Sequence, residues 1–145
     1  MAAGAWKINK NAKLKLGTGS IVLAAATVFN ITLHSIGASA NLISGLVSVF
    51  TSIGSECAGG GYAANGQTLS SNTWAISGQN AKFDSSDWVV TGSIASIKYA
   101  VIMQSVSATS GLVLCFSTLS ATGFDVSGTN TLTIQMNTSG IFTLA

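Results

Sequence analysis

The chain has 145 residues and a formal charge of +2, and only 7% of it is charged, against about 25% in ordinary globular proteins. Its 48% apolar content excludes general disorder, and no run of about 18 apolar residues is present to make a membrane-spanning helix. A chain of this length forms one domain able to bury about 70% of its unfolded surface.

The N-terminus comes first. Lys7, Lys10, Lys13 and Lys15 are four of the six lysines, and Arg is absent. A solvated basic end accounts for them; the functional alternative is docking onto an acidic protein surface. A nucleic-acid arm brings Arg and interleaved aromatics, and only Trp6 is near, so no direct nucleic-acid contact is expected. Residues 1–12 read as an arm outside a body formed by 13–145. Leu14 and Leu16 alternate with Lys13 and Lys15, the period of a strand. Gly17-Thr18-Gly19 follows as a turn, and a strand is expected over Ser20–Ala24.

Lysines up to Lys15, the apolar stretch Ile21–Leu33 and Ala38-Ser39-Ala40 imitate a secretory signal. Thr27, Asn30 and Thr32 interrupt the stretch, and the basic part is itself strand-patterned, so no cleavage is expected. Phe29, Ile31 and Leu33 alternate with Asn30, Thr32 and His34 as a strand. Leu42, Ile43, Leu46, Val47, Phe50 and Ile53 then recur at three and four residues, predicting one short helix over Ser39–Ile53.

From Glu56 onward the pattern is short strands punctuated by Gly, Ser, Asn and Asp. Alternation is clear at Thr73–Ser77, Ile97–Gln104, Leu112–Phe116 and Thr131–Asn137, with a last strand at Ile141–Leu144. Turns fall at Gly59–Gly66, Ser77–Asn80, Ser105–Gly111 and Ala121–Asn130, where Gly and Asn reach positive φ cheaply. Eight to ten such strands predict a mainly β fold, an antiparallel sandwich or jelly roll, with one short helix and an extended N-terminal arm.

No catalytic set emerges. His34 is the sole histidine; no pair of His, Cys, Asp or Glu has a zinc spacing. There is no nucleophile elbow, and Gly59-Gly60-Gly61 lacks the Lys and Ser/Thr of a phosphate loop. Asp84 and Asp87 flank Ser85-Ser86; a structural turn is the simpler account, an ion site the alternative. Cys57 and Cys115 are expected as buried free thiols. No cofactor, metal or enzymatic activity is expected.

Several pieces taken in order resemble a family of small tailed-phage virion proteins described as capsid cement, decoration or head-fibre proteins. They are AKLKLGTGSI at Ala12–Ile21, NLISGLV at Asn41–Val47, SECAGGGYAANGQTL at Ser55–Leu69, AKFDSSDW at Ala81–Trp88, SIKYAVI at Ser96–Ile102 and NTLTIQMNTSGIFTLA at Asn130–Ala145. At Lys98 the chain departs, because the family tends to carry Arg there. The resemblance implies a virion protein without catalysis, made in the bacterial cytoplasm. It binds the major capsid protein as a homo-oligomer, a trimer favoured, and has no membrane contact. The candidate capsid-binding residues are Lys7, Lys10, Lys13 and Lys15. The alternative is a tail or head-fibre component binding host-surface carbohydrate, with Trp74 or Trp88 in a groove.

Overall fold

Both faces of the strand Phe29–His34 are buried, and that fact organises the molecule. In the computed structural model, which describes residues 4–24, 27–105 and 111–144, this strand lies inside a five-stranded antiparallel sheet. In chain order the elements are β1 (Lys7–Ile8), helix α1 (Lys10–Gly17), β2 (Phe29–His34), helix α2 (Ser39–Ser44) and β3 (Gln67–Thr68). They continue with β4 (Thr73–Ser77), β5 (Asn80–Asp84), β6 (Trp88–Thr91), β7 (Ile94–Ile97) and β8 (Tyr99–Gln104). The last are β9 (Leu112–Thr118), β10 (Phe124–Val126), β11 (Thr131–Ile134) and β12 (Phe142–Leu144). The large sheet runs β1-β9-β8-β2-β3; the smaller sheets are β12-β5-β4, β11-β6 and β10-β7. The fold is therefore mainly β and antiparallel, as the alternation predicts.

Two cores lie on opposite faces of the large sheet. The larger takes Phe29, Ile31 and Leu33 from β2 and Ala100 and Ile102 from β8, and packs them against Phe83, Trp88, Leu132, Ile134 and Phe142 of the smaller sheets. Phe29, Phe83 and Phe142 stack in sequence, with ring centroids 4.9 and 5.4 Å apart. The second core holds Tyr99, Val101 and Met103 from the other face of β8, under Leu42, Val47, Phe50 and Ile53. A strand covered on both faces needs apolar residues at every position, which is why β8 reads Y-A-V-I-M without a polar break.

One register detail departs from simple alternation. Ile102 pairs with Cys115 but Met103 pairs with Val113, leaving Leu114 as the extra residue of a bulge. Leu114 and Cys115 consequently both enter the larger core, whereas Val113 and Phe116 enter the second. The strand pattern alone puts Leu112, Leu114 and Phe116 on one face; the inserted residue reverses the face beyond it.

Four further expectations are corrected. The Lys13–Leu16 stretch is not a strand but part of α1. Asn9 caps it by accepting from Asn11 N–H at 2.9 Å, the arrangement that satisfies an otherwise orphan helix donor. The helical turn buries Ala12 and leaves Leu14 out. Ser20–Ala24 carries no strand. The helix expected over Ser39–Ile53 ends at Ser44, because Gly45 takes the left-handed conformation at φ 67°, a common helix stop; a single 3₁₀ turn returns at Phe50–Ser52. There are thus two short helices among the described residues, not one. Finally, the described part of the expected arm, residues 4–12, lies on the body. Lys7 and Ile8 pair with Phe116 and Cys115, and Asn9 N–H donates to Leu114 O at 3.0 Å. Of the expected turns, Ala121–Asn130 contains β10, and residues 106–110 of the Ser105–Gly111 turn lie outside the described residues.

The Gly59-Gly60-Gly61 run serves a backbone crossing. Gly61 N–H donates to Thr91 O at 2.9 Å. A Cβ on Gly60 would stand 2.7 Å from the Gly92 carbonyl carbon, and one on Gly92 would stand 2.7 Å from Gly60 Cα. Only glycine on both sides lets the two loops meet this closely.

Candidate functional site: the face of the two helices

The two helices and the turn after α2 form one surface. Three groups of α1 reach the 45–48 turn: Lys10 N–H donates to Gly45 O at 2.8 Å, Asn11 Nδ2 donates to Leu46 O, and Lys15 Nζ donates to Ser48 O at 3.5 Å. The Lys10 stem lies over Gly45, its Cγ 3.3 Å from where a Cβ would sit. Between them runs a groove lined by Asn11, Lys15, Asn41, Ser44, Leu46 and Ser48.

Apolar side chains stand out on this surface. Leu14 is 65% exposed, Ile43 70% and Leu46 63%. Adding Ile36, four of the eight large hydrophobics left exposed among the described residues belong to the helical cover. Its charge is one-signed: residues 1–55 hold four Lys and no acid, whereas residues 56–145 hold four acids and two Lys. Lys7, Lys10 and Lys13 are exposed, and Lys15 is half-buried. Of the four predicted docking lysines, Lys15 lines the groove and Lys10 lies over Gly45. Lys7 sits on β1, and Lys13 projects from α1.

The polar residues that most resemble chemistry are spent on structure. His34 is fully buried. Its Nδ1–H donates to Gly54 O at 2.8 Å, and its Nε2 lies 3.0 Å from Thr32 Oγ1. Burial lowers its pKa to about 4, the Gly54 carbonyl opposing that shift. Tyr62 Oη donates to Glu56 Oε1 at 2.6 Å and accepts from Leu33 N–H at 3.0 Å, while Glu56 also accepts from Asn65 N–H. This network pins the 56–65 loop to β2, and burial pushes the Tyr62 phenol up.

Asp84 accepts from Ser85 N–H at 2.9 Å and pairs with Lys82 at 3.1 Å; Asp87 accepts from Met136 N–H at 2.7 Å. Asp84 thus acts locally at the end of β5, whereas Asp87 ties the start of β6 to the segment after β11, 49 positions away. Among the described residues no three His, Cys, Asp or Glu are grouped to hold a metal. Cys57 and Cys115 are buried free thiols. Trp88 is buried edge-on to Tyr62, and the half-buried Trp74 packs on Phe142 at 6.4 Å. No described helix is long and apolar enough to cross a membrane.

The helical face was only half legible in sequence. The lysines and the Leu42–Ile53 spacing were visible, but Leu14 read as the inward face of a strand. No family model, curated protein or solved structure matches the chain.

Proposed function

We propose that this chain is a non-catalytic structural protein of a tailed-phage virion, a capsid cement that docks on the outside of the major capsid shell through its helical face. The observation that carries the reading is the exposure of Leu14, Ile43 and Leu46 on a stretch, residues 10–48, that also holds Lys10, Lys13 and Lys15 and no acid. Apolar side chains supply burial on docking, and a positive rim supplies approach and register against an acidic partner. The resemblance to cement and decoration proteins supports the partner's identity. The low charge of the remaining surface suits a chain whose neighbours cover it, as they would in a homo-oligomer, with a trimer favoured, at a symmetry position of the shell. A cement acts by mass action, stabilising whatever assembled form it binds.

The test is co-sedimentation with shells assembled from the major capsid protein of the same phage. Removing residues 2–12 would also remove β1 from the sheet, so charge reversal is the cleaner probe. Saturable binding of the native chain, weakened several-fold by Lys10→Glu with Lys13→Glu and less so at high salt, is the expected result. No binding to shells, or recovery of the protein at the tail tip alone, overturns it.

A further inference from the structure

The large sheet ends at β1 and the three-stranded sheet ends at β12. Beside these two edges the chain leaves a groove of about 430 Å³ between the segment Gly4–Trp6 and the stretch Gln135–Thr143. The groove is remote in sequence from α2 and uses none of the four lysines. Its walls combine one indole, Trp6, with the side chains of Gln135, Asn137, Ser139 and Thr143. Among the described residues no charged side chain lines it.

Two observations point to a ligand. First, the Trp6 indole is half-buried against the larger core, and its Nε1–H is buried with no acceptor among the described residues. A buried unpaired donor calls for an explanation. Second, the polar groups on the opposite wall are unspent. Gln135, Asn137, Ser139 and Thr143 are exposed. The Asn137 Oδ1 accepts from Ser139 N–H at 2.8 Å, and its NH₂ makes no hydrogen bond to a described residue. The Gln135 amide and the Ser139 and Thr143 hydroxyls make no side-chain hydrogen bond to a described residue.

We propose that this groove binds a neutral saccharide. A sugar ring has an apolar C–H face and a rim of hydroxyls that both donate and accept. The indole matches the first, being a rigid apolar plate with a polar tip. Primary amides and hydroxyls match the second, because each offers donors and acceptors together. With no charge among the described lining residues, a phosphate, sulfate or sialic acid is disfavoured as the ligand, since burying such an anion without a partner is costly. An aromatic wall facing a few placed polar groups is the usual form of a small-ligand site. The site is distinct from the tryptophans the sequence suggests, since neither Trp74 nor Trp88 lines this groove.

The experiment titrates the full chain with tri- to hexasaccharides of glucose, mannose, galactose and N-acetylglucosamine, with sialyllactose and sulfated oligosaccharides as charged comparators. Binding is read by calorimetry and by tryptophan fluorescence. At least one neutral oligosaccharide is expected to bind, with Trp6→Ala weakening it by about tenfold or more. Gln135→Ala, on an exposed side chain that holds nothing in the fold, is expected to weaken it several-fold, so the proposal stays testable if Trp6→Ala fails to fold. The fluorescence change on binding should vanish in Trp6→Phe while Trp74 and Trp88 remain. No binding across the neutral panel overturns the proposal. So does equal or tighter binding of the charged comparators, or binding that neither Trp6→Ala nor Gln135→Ala alters. None of these outcomes depends on whether the helical face docks on a capsid.

Discussion

His34 and Gly54 are joined by a 2.8 Å hydrogen bond from the imidazole Nδ1–H to the backbone carbonyl, inside a layer from which water is excluded. The bond fixes the tautomer. With the proton on Nδ1, Nε2 is the acceptor facing Thr32 Oγ1. The ring closes the loop after the 3₁₀ turn onto β2 and stands edge-on to Phe50 at 5.9 Å.

That environment has a pH consequence. Burial puts the folded-state pKa of His34 at about 4, below its ordinary 6.5, so between these values the unfolded chain binds more protons. Stability is then full above pH 6.5 and falls as the pH drops toward 4, by about 3 kcal/mol from this residue. Urea midpoints across pH 4–7 should show the fall. In His34→Asn, whose amide can still donate toward Gly54, the slope over that window should be shallower than in the native chain. Parallel slopes would assign the acid sensitivity to the carboxylates.

Both thiols should be inert in the folded state. Burial, reinforced by the Glu56 charge, raises Cys57 to about 11, and burial alone pushes Cys115 well above its usual range. The thiolate is the reactive form. An aromatic disulfide reagent at pH 8 should therefore react slowly with native protein and rapidly with two thiols per chain in denaturant. Fast native reaction would contradict the buried placement.

Glycine replacements should separate by what the new Cβ meets. Gly60→Ala places it 2.7 Å from backbone at φ 58°, whereas at Gly78, with φ 65°, nothing lies within 4 Å. The first is expected to cost about 3 kcal/mol or more through strain plus collision. The second should cost about 1 kcal/mol, the left-handed preference alone. Thermal or urea unfolding of the two variants checks the order; equal losses would remove the loop crossing as the reason for the glycine run.

Phe83 is 1% exposed between Phe29 and Phe142. Phe83→Ala should destabilise by about 3–5 kcal/mol, the usual cost of an aromatic cavity in a packed core. The control is Ile76→Ala at an 84% exposed position on neighbouring β4, expected within about 0.5 kcal/mol of native. Unfolding midpoints of the pair measure how far the smaller sheets depend on their contact with the large one.

Legibility differed by element for physical reasons. Phe29, Ile31 and Leu33 point one way along β2 as their alternation requires, and of the set spaced by three and four, Leu42, Val47, Phe50 and Ile53 bury together while Ile43 and Leu46 stand exposed. Those patterns are local and repeat often enough to be read. The bulge at Leu114 was not readable, because one inserted residue leaves the composition of the strand unchanged and only the partner strand reveals the shift. The groove at Trp6 was hidden for a similar reason: its walls are about 130 residues apart, and each looks like ordinary strand or turn by itself.

By itself the sequence determined a mainly β domain with sparse charge, a basic N-terminal third, and no residue set for nucleophilic or zinc chemistry at a recognisable spacing. These follow from composition and short-range period, which hold in any arrangement of the chain. The tertiary structure decided whether K-L-K-L became strand or helix. The repeat fits both periods, and the choice rests on the Asn9 cap together with contacts from Lys10 and Asn11 to Gly45 and Leu46, more than thirty positions away. That choice turned Leu14 outward, on a helix held against the turn after α2.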